Sequence, residues 1–439
     1  MGTVTSLAEE FIESGEALSA EECYAFIRAE EHFQTPGGVL SEILRNICGA
    51  EGDEKQLAGI LTARLASVGG VSGKTVGRWF SEGRIPSRSN GIKLCFALGL
   101  DLPQAKDLLR RCCRQPGFNV RDPEEAAELY CLSAGLSYAD AQELLRRYRE
   151  APAPEAPELH GTRTIAAILS GTRWETPEAF LTTFLIPNKP SFEECFVTAR
   201  REFDRLAMAL RIKLLKNALR DEADTQGDPE GGEASTLTAV RAEALGLGMT
   251  CGEFDRLSSA QSWDRLIEWL LERDAASIPR IIPMDRLIRE TLYGIPYRWG
   301  RSGGGDTDFS DFKSSGLGKD LLLCFPRADY LRDFRPGAGK EQKTRKALVT
   351  FFFLNYVCDW DPEVRDPRRK SYPDFHAALT EMLSRCGQGF LYPADPFDCL
   401  ILKSVAAFDR AAGRVGDPNA EEPAELFNEV LRVSFADGE

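Results

Sequence analysis

Three observations predict an all-α protein. Helix-start signals are dense, apolar residues recur at three- and four-residue intervals, and no run of five or more positions alternates with the period of a strand. Asp122-Pro123-Glu124-Glu125, Thr176-Pro177-Glu178 and Asp395-Pro396 each set an oxygen-bearing cap before a proline at the first helical position, where the missing N–H costs nothing. Ser19…Glu22, Ser137…Asp140 and Ser191…Glu194 have capping-box spacing, in which the two side chains satisfy each other's free backbone donors. Behind such starts, Ala141, Leu144, Leu145 and Tyr148, and again Leu266, Ile267, Trp269 and Leu270, line single apolar faces.

The chain has 439 residues, 43% hydrophobic and 28% charged, which excludes collagen-like, mucin-like and wholly disordered classes and calls for at least two domains. A net charge of −14 excludes a polyanion binder that works by bulk charge, so any nucleic-acid site must be local. The twelve cysteines form no CxxC pair, and His32, His160 and His376 are the only histidines, so no zinc site has ligands at usable spacing. The cysteines read as small buried residues of a reducing, cytoplasmic protein. The start, MGTVTSLAEEF, lacks the basic and apolar regions of a secretory signal, although Gly2 to Ser6 matches the short myristoylation pattern. The most apolar stretch, Ala347 to Cys358, spans 12 residues and is interrupted by Thr350 and Asn355. A membrane span needs about 20, so no membrane partner is expected.

The prolines of residues 151–158 deny helical hydrogen bonds and stiffen the backbone as an extended linker. They predict a helical domain over 1–150, a linker at 151–160 and a larger helical domain over 161–439. The acidic, glycine-containing stretch 221–234 and the Gly/Ser-rich stretch 300–318 read as mobile surface loops. The closely spaced carboxylates near 306–311 lack the glycine and terminal glutamate of a calcium loop, so no metal is assigned to them.

The most informative segment runs from Val71 to Leu109. Ser72 can cap a short helix through about Phe80 that puts Val76, Trp79 and Phe80 on one face and leaves Lys74, Thr75 and Arg78 on the others. The Glu82-Gly83 turn and Pro86 stop it. A second helix with Ile92, Cys95, Phe96 and Leu98 as core residues follows, then a third over Leu102 to Arg114. Upstream, Lys55 to Ala66 places Leu57, Ile60, Leu61 and Leu65 on a helix that can pack across the Ser72 helix.

Val71-Ser72, Thr75-Val76, Arg78-Trp79, Gly83-Arg84 and Pro86-Ser87, followed by the Ala-Leu-Gly-Leu that ends at Leu100, resemble a helix-turn-helix of the lambda-repressor or Xre type over residues 53–114. The resemblance implies a recognition helix in the major groove of double-stranded DNA. It would make Lys74 and Arg78 base readers with Ser72 and Thr75 as helpers, and Arg84, Ser87, Arg88 and Lys93 phosphate contacts. Gly69-Gly70 before Val71, and Gly73 and Gly77 within the helix, depart from the pattern; each helical glycine costs ~1 kcal/mol relative to alanine. Local charge agrees with the resemblance. Residues 71–115 carry nine bases and three acids, a net of +6, which leaves −20 for the remainder.

Gly73-Lys74-Thr75 also resembles the end of a phosphate-binding loop, but Val68 stands where its first glycine belongs, and Phe334 and Glu341 spoil the match at Gly339-Lys340. No serine, histidine or cysteine signature of catalysis is present, and a lone histidine such as His376, beside Phe375 and Leu379, reads as packing. No catalytic residue, cofactor or metal is therefore assigned. A weak internal echo links Arg111-Cys112 through Asp122-Pro123 with Arg385-Cys386 through Asp395-Pro396 and suggests a degenerate duplication. Phe351, Phe352 and Phe353, ahead of the second copy, read as core, and Arg368, Arg369 and Lys370 as a solvated turn.

The expected function is sequence-specific DNA binding by a bacterial or phage-like transcriptional regulator, with the C-terminal domain forming a homo-oligomer or binding a protein partner. Two alternatives stay open: an effector of a mobile-element or phage-defence system recruited by nucleic acid, and a non-enzymatic helical adaptor that binds protein.

Overall fold

The structure is a computed structural model and describes residues 10–12, 19–28, 35–113, 117–154, 159–224, 235–292, 328–336, 341–357, 372–393 and 395–413. Among these no strand occurs, and the protein is all-α. Helix α1 (Ala20–Arg28) begins at the expected Ser19 and Glu22 box. The other helices gather around three apolar cores.

The first core holds α2 (Pro36–Asn46), α3 (Glu54–Leu65), a 3-10 turn (Ala66–Val68), α4 (Gly73–Ser81), α5 (Arg88–Ala97) and α6 (Leu102–Arg111). Each start has a sequence cause. Thr35 caps α2, while Asp53 with Gln56 and Asp101 with Gln104 form reciprocal boxes at α3 and α6. Leu40, Leu44, Leu57, Leu61, Trp79 and Leu108 meet in the centre, each burial contributing roughly 1.5–3 kcal/mol.

Helices α7 (Pro123–Ser133), α8 (Tyr138–Glu150), α9 (Thr162–Gly171) and α10 (Pro177–Phe180), the last continuing into a π turn (Leu181–Leu185), build the second core, where Tyr130 stacks on Phe180 at 4.1 Å between ring centres. The boundary expected at 151–160 does not divide the packing. Helices on both sides of it share this core: Phe192 lies against Tyr148 at 6.3 Å, and Lys189 Nζ donates to the Ala151 carbonyl at 2.9 Å. Prolines end a helix by removing backbone donors, but they do not prevent the flanking helices from burying their faces against each other. Residues 155–158 lie outside the described residues.

The third core forms around α11 (Lys189–Asp224), whose 36 residues span about 54 Å. The same core takes in α12 (Thr236–Gly246), α13 (Cys251–Ser259), α14 (Trp263–Arg273), α15 (Ser277–Ile281), α16 (Met284–Leu292), α17 (Ala328–Arg332), α18 (Glu341–Val357), α19 (Tyr372–Arg385) and α20 (Pro396–Gly413), with Cys23 of α1 also in the cluster. Phe351 and Phe353 are core, with Phe352 half-buried beside them.

Two local expectations fail here. Ser191 is not a cap. It lies fully buried inside α11, where its hydroxyl accepts from the His160 N–H, because the helix starts earlier at Lys189-Pro190. The acidic loop starts later than expected, since α11 runs through Asp224. Glu222 accepts from the Thr236 and Leu237 N–H groups at 2.7 and 2.9 Å and so caps α12. Residues 225–234, 300–318 and 368–370 lie outside the described residues. Among the described residues, eight cysteines are buried as expected, whereas Cys48 is half-buried and Cys251 at the start of α13 is exposed. Among the described residues, no helix is long and apolar enough to cross a membrane.

Candidate nucleic-acid interface

Helix α4 is short and strongly two-sided because every apolar residue in it points one way. Val76, Trp79 and Phe80 are buried against α2 and α3, and Lys74 projects into solvent. Arg78 keeps 38% of its side chain exposed and meets Glu82 at 3.5 Å. Ser72 caps the helix, accepting from Thr75 N–H at 3.1 Å, and its hydroxyl lies 2.8 Å from that of Thr75. Both hydroxyls thus sit at the helix N-terminus, where the positive end of the helix dipole favours an anion.

The glycines that depart from the family pattern divide into two kinds. Gly69 and Gly70 have φ of +86° and +71°, so the turn from α3 into α4 requires them, and Gly70 N–H closes it on the Leu65 carbonyl at 2.9 Å. Gly73 and Gly77 are ordinary helical residues. A Cβ on Gly73 would reach Thr62 at an unstrained 3.7 Å, and one on Gly77 would meet nothing within 4 Å. Gly73 faces Thr62 of α3, whereas Gly77, beside Arg78, opens on free space.

Seating α4 depends on a glycine that the sequence pattern did not reveal. A Cβ on Gly37 would lie 2.7 Å from Phe80 Cα and 3.0 Å from Phe80 O, so α2 and α4 approach backbone to backbone. Gly91 makes room for side chains instead: a Cβ there would lie 3.0 Å from Leu109 Cδ2 of α6 and 2.5 Å from Cys113 Sγ just beyond it. No local signal marks either position, because the neighbour in each case comes from a distant helix.

Arg84 and Ser87 are exposed beyond α4, and Ser87 also caps α5, accepting from Asn90 N–H at 3.4 Å. Lys93 is half-buried, with its ammonium 6.0 Å from the Tyr138 ring centre and close to Gly69. Arg88 is placed differently from expectation. It turns inward with 13% of its side chain exposed, and its guanidinium donates to the Glu125 carboxylate and the Gly117 carbonyl. The 37-residue separation hides this pair from the sequence, and it makes Arg88 a tie between α5 and α7. Phe96, expected in the core, is half-buried and lies edge-on to Tyr138 at 5.4 Å, at the seam of the first two cores.

Around this seam burial governs ionisation. Burial pushes the Glu128 carboxyl well above its usual range, nearby Glu125, Asp122 and Glu124 add to the effect, and Arg88 opposes it. Burial likewise raises the Tyr138 hydroxyl to about 12. Elsewhere His160 Nδ1 lies 2.9 Å from Asn188 Oδ1, and His376 is half-buried next to the buried Phe375. Among the described residues, no three His, Cys, Asp or Glu side chains converge in a way that could hold a metal ion. The chain matches no protein-family model, no curated protein and no solved structure.

Proposed function

We propose that the chain binds double-stranded DNA in a sequence-specific manner through α4 and acts as a transcriptional regulator resembling the Xre type. The observation that carries this reading is the two-sidedness of α4. Its apolar residues are spent on seating the helix, so Lys74 and Arg78 are left on the opposite side, with no side chain at Gly77 to crowd them, on a helix short enough to enter a major groove. Lys74 and Arg78 read base edges with Ser72 and Thr75 assisting, while Arg84, Ser87 and Lys93 approach phosphate. Arg88 supports the site from behind through Glu125. The concentration of positive charge in residues 71–115 of an acidic chain favours orientation of this surface toward a polyanion. The second and third cores serve self-association or a protein partner.

Selection of duplexes from a randomised pool by the full chain, followed by binding measurements on the enriched sequence over a salt series, tests the reading. A reproducible enriched motif whose affinity falls with salt supports it, and no duplex binding even at low salt ends it.

A further inference from the structure

Between Val71 and Leu100 the only acidic residue is Glu82. The fold gives a carboxylate no advantage there. Glu82 is the C-cap of α4, next to the outward-pointing carbonyls and the negative end of the helix dipole. It meets Arg78, one turn earlier, at 3.5 Å, with the two side chains 38% and 58% exposed. An arginine preceding its acid by four residues is the weaker order for a helical ion pair, and so exposed a pair adds little to stability. The pair does engage a guanidinium that lies one turn from Lys74 along the outer side of α4.

We propose that Glu82 is a specificity-determining residue of the DNA site, holding the Arg78 guanidinium back from phosphate until a guanine edge accepts it. The proposal rests on the DNA-binding reading above. On an arbitrary duplex, a free arginine finds a phosphate, releases a counterion and adds affinity that carries no sequence information. Engaged by Glu82, Arg78 forgoes that gain, and drawing it away leaves the carboxylate facing the polyanion. Guanine offers N7 and O6 as two coplanar acceptors that match the two terminal N–H groups of the arginine fork, which stay available while Nε faces Glu82, so this edge is engaged without giving up the pair. Selectivity then comes from a penalty on wrong sequences as well as from a contact to the right one.

The test compares the full chain with Glu82→Gln on two probes: the duplex that the wild-type chain enriches from a randomised pool, and the unselected pool itself. Glu82→Gln should bind the unselected pool roughly fivefold tighter at physiological salt, with the logarithmic salt slope steeper by about 0.9, one extra phosphate contact. Affinity for the enriched duplex should change less than about twofold, because the Arg78–Glu82 pair is kept both in the free chain and in that complex. In an Arg78→Ala background the same change should move affinity for the unselected pool less than about twofold, which separates restraint of Arg78 from simple repulsion by Glu82. An equal gain on both probes, an equal gain with and without Arg78, or no gain in a normally folded variant overturns the role of Glu82 while leaving DNA recognition by α4 in place. Absence of duplex binding by the wild-type chain overturns both.

Discussion

Arg88 and Arg345 each tie the start of one helix to a buried acid on a later one. Arg88, at the start of α5, donates to Glu125 of α7 and to the Gly117 carbonyl, and the same carboxylate accepts from Asn119 N–H at 2.6 Å. Arg345, near the start of α18, donates to Asp398 of α20 at 2.6 and 2.9 Å and to the Phe390 carbonyl at 2.6 Å, and Asp398 accepts from Tyr392 N–H at 2.7 Å. In both, an aspartate followed by proline starts the helix that bears the acid. Removing one partner of a buried pair leaves the other uncompensated. Arg88→Ala and Arg345→Ala should therefore each cost about 3–5 kcal/mol, read as a lowered midpoint in urea denaturation. DNA affinity of Arg88→Ala should be lost in step with folding, without a change in base preference.

Arg84 provides the contrast to the α4 residues. Lys74→Ala and Arg78→Ala should each relax preference at one base-pair position by roughly 1–3 kcal/mol, whereas Arg84→Ala should weaken enriched and unselected duplexes about equally and flatten the salt slope by about one. Binding isotherms on single-base variants of the enriched duplex distinguish the two patterns. Equal behaviour of all three variants would remove α4 from the role of reader.

Two glycines of the same region should respond in opposite ways to the same substitution. Gly37→Ala drives a methyl into the backbone of Phe80 and should destabilise the first core by about 1–3 kcal/mol. Gly77→Ala meets nothing and should stabilise α4 by up to about 1 kcal/mol through helix propensity. It should nevertheless weaken DNA binding, because the duplex would have to pass a methyl where bare backbone now stands. Thermal melts paired with binding measurements would show stability and affinity moving apart in Gly77→Ala and together in Gly37→Ala.

Glu128 predicts a pH dependence. Its folded-state carboxyl is raised by burial, so the folded chain keeps a proton that the unfolded chain releases above the ordinary carboxylate range. This contribution is fully present below the unfolded value and is lost as pH rises through the folded one, at up to about 1.4 kcal/mol per pH unit. Glu128→Gln should thus be more stable than wild type at neutral pH, with the difference shrinking on acidification. Denaturation midpoints of the two chains across a pH series check the sign, and a difference that grows toward acid would refute it.

What the sequence made legible was local. Ser72, Asp122, Thr176 and Asp395 cap the helices expected of them, because a cap acts within three residues. The apolar face of α4 and the exposure of Lys74 follow from helical periodicity alone. Relations between distant segments stayed hidden: Gly37 against Phe80, Arg88 with Glu125, and the sharing of one core by helices on both sides of residues 151–154. The same is true of Ser191, whose capping-box pattern is overridden by burial inside α11. Prolines and acids describe what the backbone does at a point, and only packing determines which faces meet.

Helix α11 gives Phe192 to the second core and Ala199, Phe203 and Leu206 to the third, with no break between them. A continuous rod anchored at both ends transmits rotation as well as tension, so these two cores lack a swivel and should melt as one cooperative block. A fragment cut at residue 161 would start with its second core stripped of Tyr130, Leu144 and Tyr148, so the chain should not be divided for expression between α8 and α11.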